Sequence, residues 1–413
     1  MRLLLINHYA GSPHHGMEFR PYYLAREWVR AGHEVTIVAA SYSHVRAVQP
    51  AVPGLPVEEI IDGIRYRWLP VPRYAGNGVG RLRNILSFLR QLRADAWRLT
   101  REFRPDAVIA SSTYPMDVWV AKKLARLAKA KLVYEVHDLW PLSLIELSGM
   151  SPRHPFALLC GKAEADAYRD ADVVVSMLPC VHEHMAARGL DLSKLHIVPN
   201  GFAPEEWQGA SSTTTAPLGE TLAAHLGSER AAGRVIVGYA GSMGLPNALD
   251  VLLDAAAKLK DAPLSFVLVG SGHEAERLAE RAAAEGLANV RFFAPIPKAQ
   301  IPTLLGHFDI AYIGWQRTPI YRFGIAPNKL IDYLMSGRAV LHSVEAGNDP
   351  VAEAGAGLTV APEDAAAVAE GLLKLAALSP AERAELGERG RAFAMAHHAF
   401  PVLAERFIGA LKP

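Results

Sequence analysis

The stretch VTIVAA, Val35 to Ala40, is an almost unbroken apolar run that contains β-branched residues. Such a run, without alternating polar residues, is typical of a parallel strand that helices cover on both faces. The first half of the chain repeats this pattern, with helical segments such as Phe19–Ala31 between the runs. The predicted strands of this half are Leu3–Asn7, Val35–Ala39, Ala107–Ala110, Leu132–Glu135 and Val173–Ser176. Right-handed crossovers between these strands predict an α/β, doubly wound, Rossmann-like domain.

The second half repeats this organisation after GASSTTTAPLG at 209–219, a composition typical of a linker or an exposed loop. Its predicted strands are Val235–Ala240, Ser265–Val269, Val290–Phe293, Ile310–Ile313 and Ala339–Leu341, with helices near 247–259, 273–285, 327–335 and 363–377. We therefore predict a first domain over 1–202 and a second doubly wound domain over 203–395. A helix within 396–413 is expected to pack back on the first domain. The ligand loops of both sheets are expected to face a shared cleft.

Composition excludes several classes of protein. The 413 residues are 50% hydrophobic and 21% charged, which fits two globular domains rather than a disordered chain. The two cysteines, Cys160 and Cys180, match no metal spacing or disulfide framework, so we expect a reducing, cytoplasmic compartment. The apolar run at the N-terminus, Leu3–Ile6, is shorter than the roughly 7–15 residues of a signal peptide core. We also expect no membrane-spanning helix, because no apolar stretch approaches about 20 residues.

Charge is distributed unevenly along the chain. Residues 1–202 carry 25 Lys and Arg against 19 Asp and Glu, whereas residues 203–413 carry 18 against 23. From Arg65 to Arg104 there are ten arginines and two acids. Apolar residues recur there at helical spacing, at Leu82, Ile85, Leu86, Leu89, Leu92, Ala96, Leu99 and Phe103. We expect segment 81–104 to dock on anionic lipid headgroups at the inner face of the cytoplasmic membrane, although a solvated surface helix would show the same pattern. Nucleic acid binding is disfavoured, because the arginines are not interleaved with aromatic residues.

The segment FGIAPNKLIDYLMSGRAV, Phe323 to Val340, predicts an anion site. Pro327 suits the first turn of a helix that ends at Gly337. Free N–H groups at a helix start attract phosphate, and Lys329 adds a positive charge there. Asp332, five positions after Pro327, could then accept hydrogen bonds from a ribose diol. A surface helix with a solvated Lys and Asp is the alternative.

Several motifs in the same order resemble the family-4 retaining glycosyltransferases of the GT-B fold. Besides the Phe323–Val340 segment they are IVPNG at 197–201, GSM at 241–243 and LVGSG at 268–272. The opening INHYAGSPHHGMEFRPYYLA, 6–25, resembles the bacterial O-antigen and capsule branch that transfers N-acetylated deoxyhexosamines such as L-fucosamine. The resemblance implies that His137 and Asp138, after a strand of the first domain, touch the donor sugar and belong to the catalytic residues. A core histidine is the alternative for His137.

The first loop, 11–20, is expected at the same cleft. Gly16 permits close approach of a phosphate or an acceptor, and Arg20 is a second candidate for phosphate contact. Glu18 could act on the acceptor hydroxyl as a catalytic residue, or it could cap the following helix.

In the resembled family, two Glu residues eight positions apart bind the donor. Asp332 falls on the second of these positions, the ribose site, and Gly324 stands on the first, so Tyr321 or backbone groups are expected to replace that carboxylate. A basic pair usually near the pyrophosphate is also missing, since Met243 and Asn247 stand in that region. The phosphate charge is then expected to fall to Lys329, with Arg322. The complete set of expected donor and nucleotide residues is Gly16, Arg20, Gly241, Ser242, Asn247, Gly270, Gly272, Tyr321, Arg322, Gly324, Pro327, Asn328, Lys329 and Asp332.

We expect no cofactor and no metal. Asp170 and Asp172 form an Asp-x-Asp pair of the kind that holds a metal in another glycosyltransferase fold, but they run from a helix end into the strand VVVS. The resemblance implies metal-independent, retaining transfer of an N-acetylated hexosamine or deoxyhexosamine from a UDP-sugar to a lipid-linked or polysaccharide acceptor. Two alternatives remain open: a UDP-sugar 2-epimerase on the same fold, and a non-catalytic sugar-nucleotide-binding protein.

Overall fold

The computed structural model describes residues 1–16, 19–76, 78–207 and 216–412. Glu18, expected on the acceptor side, and most of the expected linker at 209–219 lie outside these residues. The chain forms two compact units, the first comprising Met1–Asn200 with Phe400–Pro413 and the second Gly201–Ala399. The units divide after Asn200 and after Ala399, where the sequence analysis placed its divisions after residues 202 and 395.

The described part of unit 1 is built on an eight-stranded sheet in the order β3-β4-β2-β1-β5-β6-β7-β8. Its strands are β1 (Arg2–Ile6), β2 (Glu34–Ala40), β3 (Val57–Ile61), β4 (Ile64–Leu69), β5 (Ala107–Ala110), β6 (Lys131–Val136), β7 (Val173–Ser176) and β8 (Leu195–Ile197). All neighbours are parallel except β3, which runs antiparallel to β4 at the edge. The order reverses at β1, which pairs with both β2 and β5, so the loops that follow β1 and β5 meet at a topological switch point.

Helices cover both faces of this sheet, because crossovers between parallel strands require them. They are α1 (Phe19–Arg30), α2 (Val79–Phe103), α3 (Asp117–Ala128), α4 (Leu142–Ser148), α5 (Pro155–Asp170) and α6 (His182–Ala187). On α2 the predicted apolar stripe is only partly buried. Ile85, Leu92, Ala96, Leu99 and Phe103 pack inward, whereas Leu82 and Leu86 are 38% and 53% exposed. Leu82 and Leu86 fit the predicted helical spacing but do not belong to the buried face of α2.

Unit 2 has a six-stranded, fully parallel sheet in the order β11-β10-β9-β12-β13-β14. The strands are β9 (Val235–Ala240), β10 (Leu264–Val269), β11 (Val290–Phe293), β12 (Ile310–Gly314), β13 (Ala339–Ser343) and β14 (Gly357–Val360). The helices are α7 (Glu220–Ala231), α8 (Leu249–Lys258), α9 (Ala275–Ala284), α10 (Ile301–Gly306), α11 (Asn328–Met335), α12 (Pro350–Ala354), α13 (Ala365–Ala377) and α14 (Pro380–His398). The order reverses at β9, which again gathers loops at a switch point. Both units are thus doubly wound α/β domains.

The last helix, α15 (Phe400–Leu411), belongs to unit 1 and packs on α1. Trp28 Nε1 donates a hydrogen bond to the carbonyl of Ala404 over 3.2 Å, and the Trp28 and Phe407 rings lie 5.0 Å apart. Aromatic side chains contribute much buried area to such contacts. Unit 1 is therefore completed by residues that follow the whole of unit 2 in the chain.

No helix within the described ranges is both long and apolar enough to cross a bilayer.

Candidate functional site

The carboxyl edge of the unit 1 sheet gathers polar side chains from three neighbouring strands. His8 follows β1, Ser111 follows β5, and His137 follows β6. Since the carboxyl ends of parallel strands share one edge, these loops lie together although they are distant in sequence. The Asn7 side-chain amide donates to the carbonyl of Ser111 over 2.6 Å and so links the first two loops.

His137 is held in a buried network. Its Nε2 lies 3.0 Å from Ser111 Oγ and 3.4 Å from Glu135 Oε2. The Ser111 hydroxyl donates to Glu135 Oε2 over 2.6 Å, so Ser111 Oγ accepts from His137 and the network assigns the Nε2–H tautomer. Burial favours the neutral form of Glu135, yet Arg20 and His137 together lower the pKa of this carboxyl to about 2. The edge therefore holds a fixed negative charge behind His137, which orients the ring.

Arg20 lies in the interior of unit 1, where its hydrogen bonds are satisfied. Its Nε donates to Glu135 Oε1 over 3.0 Å, and its two terminal nitrogens donate to the carbonyls of Pro199 and Val198 over 2.5 and 2.8 Å. The residue is 8% exposed. This arrangement favours a positioning role for Arg20, which holds Glu135 and the segment after β8, over the nucleotide contact that the sequence suggested.

Two buried residues at this edge were not singled out from the sequence. Asp117, at the start of α3, accepts a hydrogen bond from the Ser112 N–H over 3.0 Å, and burial raises its pKa to about 7. His8 Nδ1 lies 2.7 Å from Tyr114 Oη, its Nε2 lies 2.7 Å from Asn84 Oδ1, and burial lowers its pKa to about 3. The neutral His8 thus ties α2 to the loop after β5. His8 directly follows the predicted strand Leu3–Asn7, the signal that could have indicated it, whereas Asp117 begins a helix and had no such signal.

Asp138 and Gly16 occupy more open positions. Asp138 is exposed and lies on the wall of a cavity of about 710 Å³ within unit 1. Gly16 has φ +63°, and a Cβ there would lie 3.3 Å from Ala47 Cβ. The left-handed backbone therefore favours glycine at this turn.

The carboxyl edge of unit 2 is formed by two interlocked glycine turns. A Cβ on Gly270 would lie 1.9 Å from the Gly241 carbonyl oxygen, and a Cβ on Gly272 would lie 2.1 Å from the Met243 carbonyl oxygen. The Met243 N–H donates to the Ser271 carbonyl over 2.8 Å. Because no side chain fits between them, these turns present bare backbone at the edge, as a phosphate-binding turn requires.

Lys329 extends from α11 to this glycine edge. Its Nζ donates to Tyr239 Oη over 2.6 Å and to Asn247 Oδ1 over 2.8 Å, and it lies 4.3 Å from the centroid of the Tyr239 ring. A Cβ on Gly241 would lie 2.5 Å from Lys329 Cε, so a side chain at this position would displace the lysine from its present path. Burial lowers the pKa of Lys329 to about 7. The amino group therefore stands beside Asn247, where the sequence lacked a basic side chain.

Asp332 lies three residues further along α11, at a cavity of about 310 Å³ within unit 2. The other residues that line this cavity are Glu206, Trp207, Lys298, Ala299, Ile301 and Pro302. Burial raises the pKa of Asp332 to about 7, Lys298 opposes that shift and Glu206 adds to it. Lys298 and Glu206, which both line the cavity, form an ion pair of 2.8 Å.

The segment before α11 explains the missing first carboxylate. A 3₁₀ turn spans Pro319–Phe323 and ends at Gly324, whose φ is +97°. A Glu at this position would be forced into a backbone conformation that only glycine adopts readily. The Ile325 N–H donates to Asn348 Oδ1 over 2.7 Å, a loop anchor that the sequence did not indicate.

The remaining expected donor residues lie around this segment. Pro327 is the N-cap of α11 and Asn328 its first residue, so the helix begins one position later than the sequence suggested. The Arg322 guanidinium lies 4.2 Å from the Phe323 ring centroid, and the Tyr321 ring lies 5.5 Å from that of Trp315. The carbonyl oxygen of Ser242 accepts a hydrogen bond from Asn247 Nδ2 over 3.0 Å.

In the part of the chain that the structure describes, no three His, Cys, Asp or Glu side chains are grouped to hold a metal ion. The Asp-x-Asp pair has structural contacts: Asp170 pairs with Lys122 over 2.5 Å, and Asp172 accepts the Leu132 N–H over 2.7 Å. Metal independence itself stays a prediction.

Two family profiles and several known proteins resemble this chain. A profile described as a glycosyl transferase 4-like domain matches residues 15–201, and one described as glycosyl transferases group 1 matches residues 234–377. WcaI of Escherichia coli (strain K12), named for glycosyl transfer in colanic acid biosynthesis, is 24% identical over 333 residues that cover 78% of each chain.

Solved structures share the architecture over the whole chain. HepE of Anabaena in complex with UDP and glucose has a TM-score of 0.65 at 15% identity, covering 100% of this chain and 99% of that one. Sucrose-phosphate synthase from Thermosynechococcus elongatus has a TM-score of 0.70 at 18% identity, covering 98% and 97%. At these identities the likeness shows the fold. Together with the two family profiles, it shows that the chain belongs to the family-4 type glycosyltransferases of the GT-B fold.

Proposed function

We propose that this glycosyltransferase moves an N-acetylated hexosamine or deoxyhexosamine from a UDP-sugar to a lipid-linked or polysaccharide acceptor in bacterial surface-glycan synthesis. The observation that carries the proposal is the position of the Lys329 amino group, half-buried beside the glycine turns of unit 2.

Lys329 has an unbalanced charge. Among the described residues its hydrogen-bond partners are a phenol, Tyr239, and an amide, Asn247, and both are neutral. Burying an ammonium without an opposite charge is costly, as the lowered pKa of Lys329 reflects. A diphosphate at the glycine turns would supply the missing negative charge.

Asp332 fits the ribose of the same nucleotide. A carboxylate accepts hydrogen bonds from two adjacent hydroxyls, and the cavity beside it, about 310 Å³, lies at the small end of the usual range for ligand sites. Uracil is favoured as the base because HepE, whose fold this chain shares, has been crystallised with UDP and with UDP-glucose.

His137 and Asp138 are the proposed contacts for the transferred sugar. The fixed tautomer of His137 presents a defined hydrogen-bonding edge, and Asp138 is exposed beside it. In the retaining reaction the bond from the sugar C1 to the β-phosphate oxygen breaks, and a bond to the acceptor oxygen forms on the same face. The acceptor proton passes to the leaving phosphate oxygen. The protein then positions the reactants and stabilises charge without a nucleophile or a metal of its own.

The surface-glycan setting rests on relatives. WcaI is named for colanic acid biosynthesis, and the opening 6–25 resembles transferases of N-acetylated deoxyhexosamines in the O-antigen and capsule branch. Both support a cytoplasmic enzyme that acts on a bacterial glycan.

The exposed face of α2 supports peripheral contact with an anionic membrane. Val79, Leu86 and Trp97 are 83%, 53% and 62% exposed, and the exposed arginines Arg83, Arg90 and Arg93 lie on the same helix. Apolar side chains flanked by arginines are typical of a helix that lies in the headgroup region of a bilayer.

A nucleotide panel tests the proposal. The melting temperature of the purified protein is measured with UDP, GDP and ADP, and then UDP release from UDP-N-acetylhexosamines is measured with and without EDTA. We expect stabilisation by UDP above the other two, and UDP release that EDTA does not reduce. Absence of stabilisation by any nucleotide would remove the proposed donor site, and release that EDTA abolishes would remove metal independence.

A further inference from the structure

A cavity of about 710 Å³ lies in unit 1, and Asp138 is among the residues that line it. It lies between the first turns of α2 and the segment 138–156 that holds α4. Leu82, Ile85, Trp140, Leu144, Leu147 and Phe156 form its apolar walls. A volume in this range accommodates a small ligand or one hydrocarbon chain.

The chemistry of these walls disfavours a sugar. A sugar ring exposes hydroxyl groups on every side, and each buried hydroxyl without a partner costs free energy. The eight apolar side chains of the lining offer few such partners, and they outnumber its polar ones, which are Arg81, Asp138, Ser143, Ser148 and His154. A hydrocarbon chain, in contrast, is stabilised when it moves from water to an apolar surface of this type.

The cavity is continuous with the exposed apolar residues of α2. Val79 and Leu82 line it while being 83% and 38% exposed, and Leu147 on the opposite wall is 57% exposed. A cluster of exposed apolar side chains around a groove marks a binding surface rather than ordinary exposure. The mouth of the cavity therefore opens on the face proposed to meet the bilayer.

One end of the cavity is suited to a phosphate. Arg81 lines it, with its guanidinium 5.5 Å from the Tyr9 ring centroid and its Nε donating to Tyr9 Oη over 3.2 Å. The first turn of α2 lines it too, and the N-cap residue Gly78 provides no side-chain cap for this 25-residue helix. The start of a long helix and an arginine together attract an anion. Asp138, next to His137, lies on the same wall, so an occupant would reach the edge where the sugar is transferred.

We propose that this cavity binds the single hydrocarbon chain of a phosphorylated lipid acceptor, with its phosphate at Arg81 and the first turn of α2. The identification of that lipid as the acceptor rests on the proposed function. Bulk membrane lipid fits less well as the occupant, because Asp138 places the polar end beside the reaction edge rather than at the outer surface.

Binding of short phosphorylated lipids to the full-length protein tests this site. Farnesyl diphosphate, geranyl diphosphate and inorganic pyrophosphate are titrated calorimetrically, with saturating UDP present to fill the proposed donor site, against the wild type, the double variant Leu82→Gln/Leu147→Gln and the control Leu127→Gln/Leu192→Gln. The control leucines are 44% and 42% exposed, lie in the same unit and do not line the cavity. All four positions are partly exposed, so the substitutions should leave the fold intact, which equal melting temperatures verify.

We expect farnesyl diphosphate to bind more tightly than geranyl diphosphate, and pyrophosphate to bind weakest, since each isoprene unit buries further apolar surface. The cavity variant should weaken farnesyl diphosphate binding by about tenfold or more, whereas the control should bind like the wild type. Arg81→Met should weaken farnesyl diphosphate but not farnesol, because only the first has an anionic group.

Equal binding of all three probes, or equal binding by cavity and control variants, would overturn the proposal. A second arm uses phosphatidylglycerol vesicles. If the cavity variant loses vesicle binding but keeps farnesyl diphosphate, the apolar residues serve the bilayer and the acceptor site is refuted. UDP stabilisation, measured on the same preparations, separates the two proposals: a failed lipid site with intact UDP binding removes this inference alone, and a failed UDP response removes the proposed function.

Discussion

The two sheet edges differ in whether the protein supplies a counter-charge to their charged side chains. At the edge of unit 1, Glu135 is balanced within the protein by Arg20, and its remaining lone pairs are used by Ser111 and His137. At the edge of unit 2, Lys329 faces neutral partners and Asp332 faces a cavity. The Glu135 network of the first edge is balanced without a ligand, and the second edge has charges that a ligand would balance. A network of paired charges fixes the positions of its side chains, whereas a charge without a counter-charge gains interaction energy when a substrate of opposite charge binds.

The largest effect should come from breaking the balanced edge. Arg20→Met leaves the Glu135 carboxylate buried without its counter-charge and should lower the free energy of unfolding by about 3–5 kcal/mol, measured by urea denaturation. Arg322→Met, at an exposed arginine, should change it by less than about 0.5 kcal/mol. Adding Glu135→Gln to Arg20→Met should restore part of the loss. Equal stability of Arg20→Met and wild type would contradict the positioning role.

Substitution of Lys329, at the edge of unit 2, should change the affinity for a UDP-sugar rather than the free energy of unfolding. Lys329→Met should weaken UDP-sugar binding by about 1.5–3 kcal/mol, the range for a hydrogen bond to a charged group. Its free energy of unfolding should not fall, since the substitution also removes the cost of a buried ammonium. Calorimetric titration and urea denaturation give the two values, with Lys258→Met on the exposed face of α8 as control. A variant that loses stability but not affinity would make Lys329 a structural residue.

The affinity for a UDP-sugar should depend on pH through the ionisation of Lys329. The pKa of Lys329 is lowered to about 7 in the free protein, and a bound diphosphate favours the ammonium form. Affinity for a UDP-sugar should therefore be full below pH 7 and fall above it, by up to about tenfold per pH unit until the pKa of the complex is reached. The measurement is best made on Asp332→Asn, because the pKa of Asp332 is also near 7. If the double variant Asp332→Asn/Lys329→Met showed the same dependence of affinity on pH as Asp332→Asn, Lys329 would not be the group that titrates.

The smallest effect is expected at Asp332. Asp332→Asn keeps an oxygen acceptor but removes the charge, and should weaken UDP binding by roughly 1 kcal/mol. If the carboxylate meets the ribose, the variant should also discriminate less between UDP and 2′-deoxy-UDP than the wild type does. Unchanged discrimination would place the ribose elsewhere than in the cavity beside α11.

The sequence predicted ten of the strands, β1, β2, β5, β6, β7 and β9 to β13, from their apolar runs, but not the short parallel strands β8 and β14. It missed β3 and β4, a hairpin at the sheet edge in which Glu58 and Glu59 are exposed. The turn between these strands is Asp62–Gly63, with φ of +50° and +80°, so the Asp-Gly hairpin signal was present and overlooked. Edge strands with polar residues lack the apolar run on which the prediction depended.

Within the site, local spacing predicted what one helix presents. Lys329 and Asp332 are read from the start of α11, and Lys329 contacts Asn247, while its expected role as replacement for the missing base stays a prediction. The partners of Arg20 could not be read in this way. Its carbonyl contacts lie at Val198 and Pro199, and Glu135 is hidden in a strand, so only the folded sheet brings them to the guanidinium. A sequence does not distinguish a charged residue that lines a binding site from one that is buried behind the site.

The return of α15 to α1 has a consequence for how the protein is made on the ribosome. The hydrophobic surface around Trp28 and Tyr23 is translated early, but Phe400 and Phe407, which cover it, follow all of unit 2. Unit 2 can thus finish folding before unit 1 does, although unit 1 begins first. During the intervening synthesis the exposed face of α1 is a place where a nascent chain would need protection from aggregation.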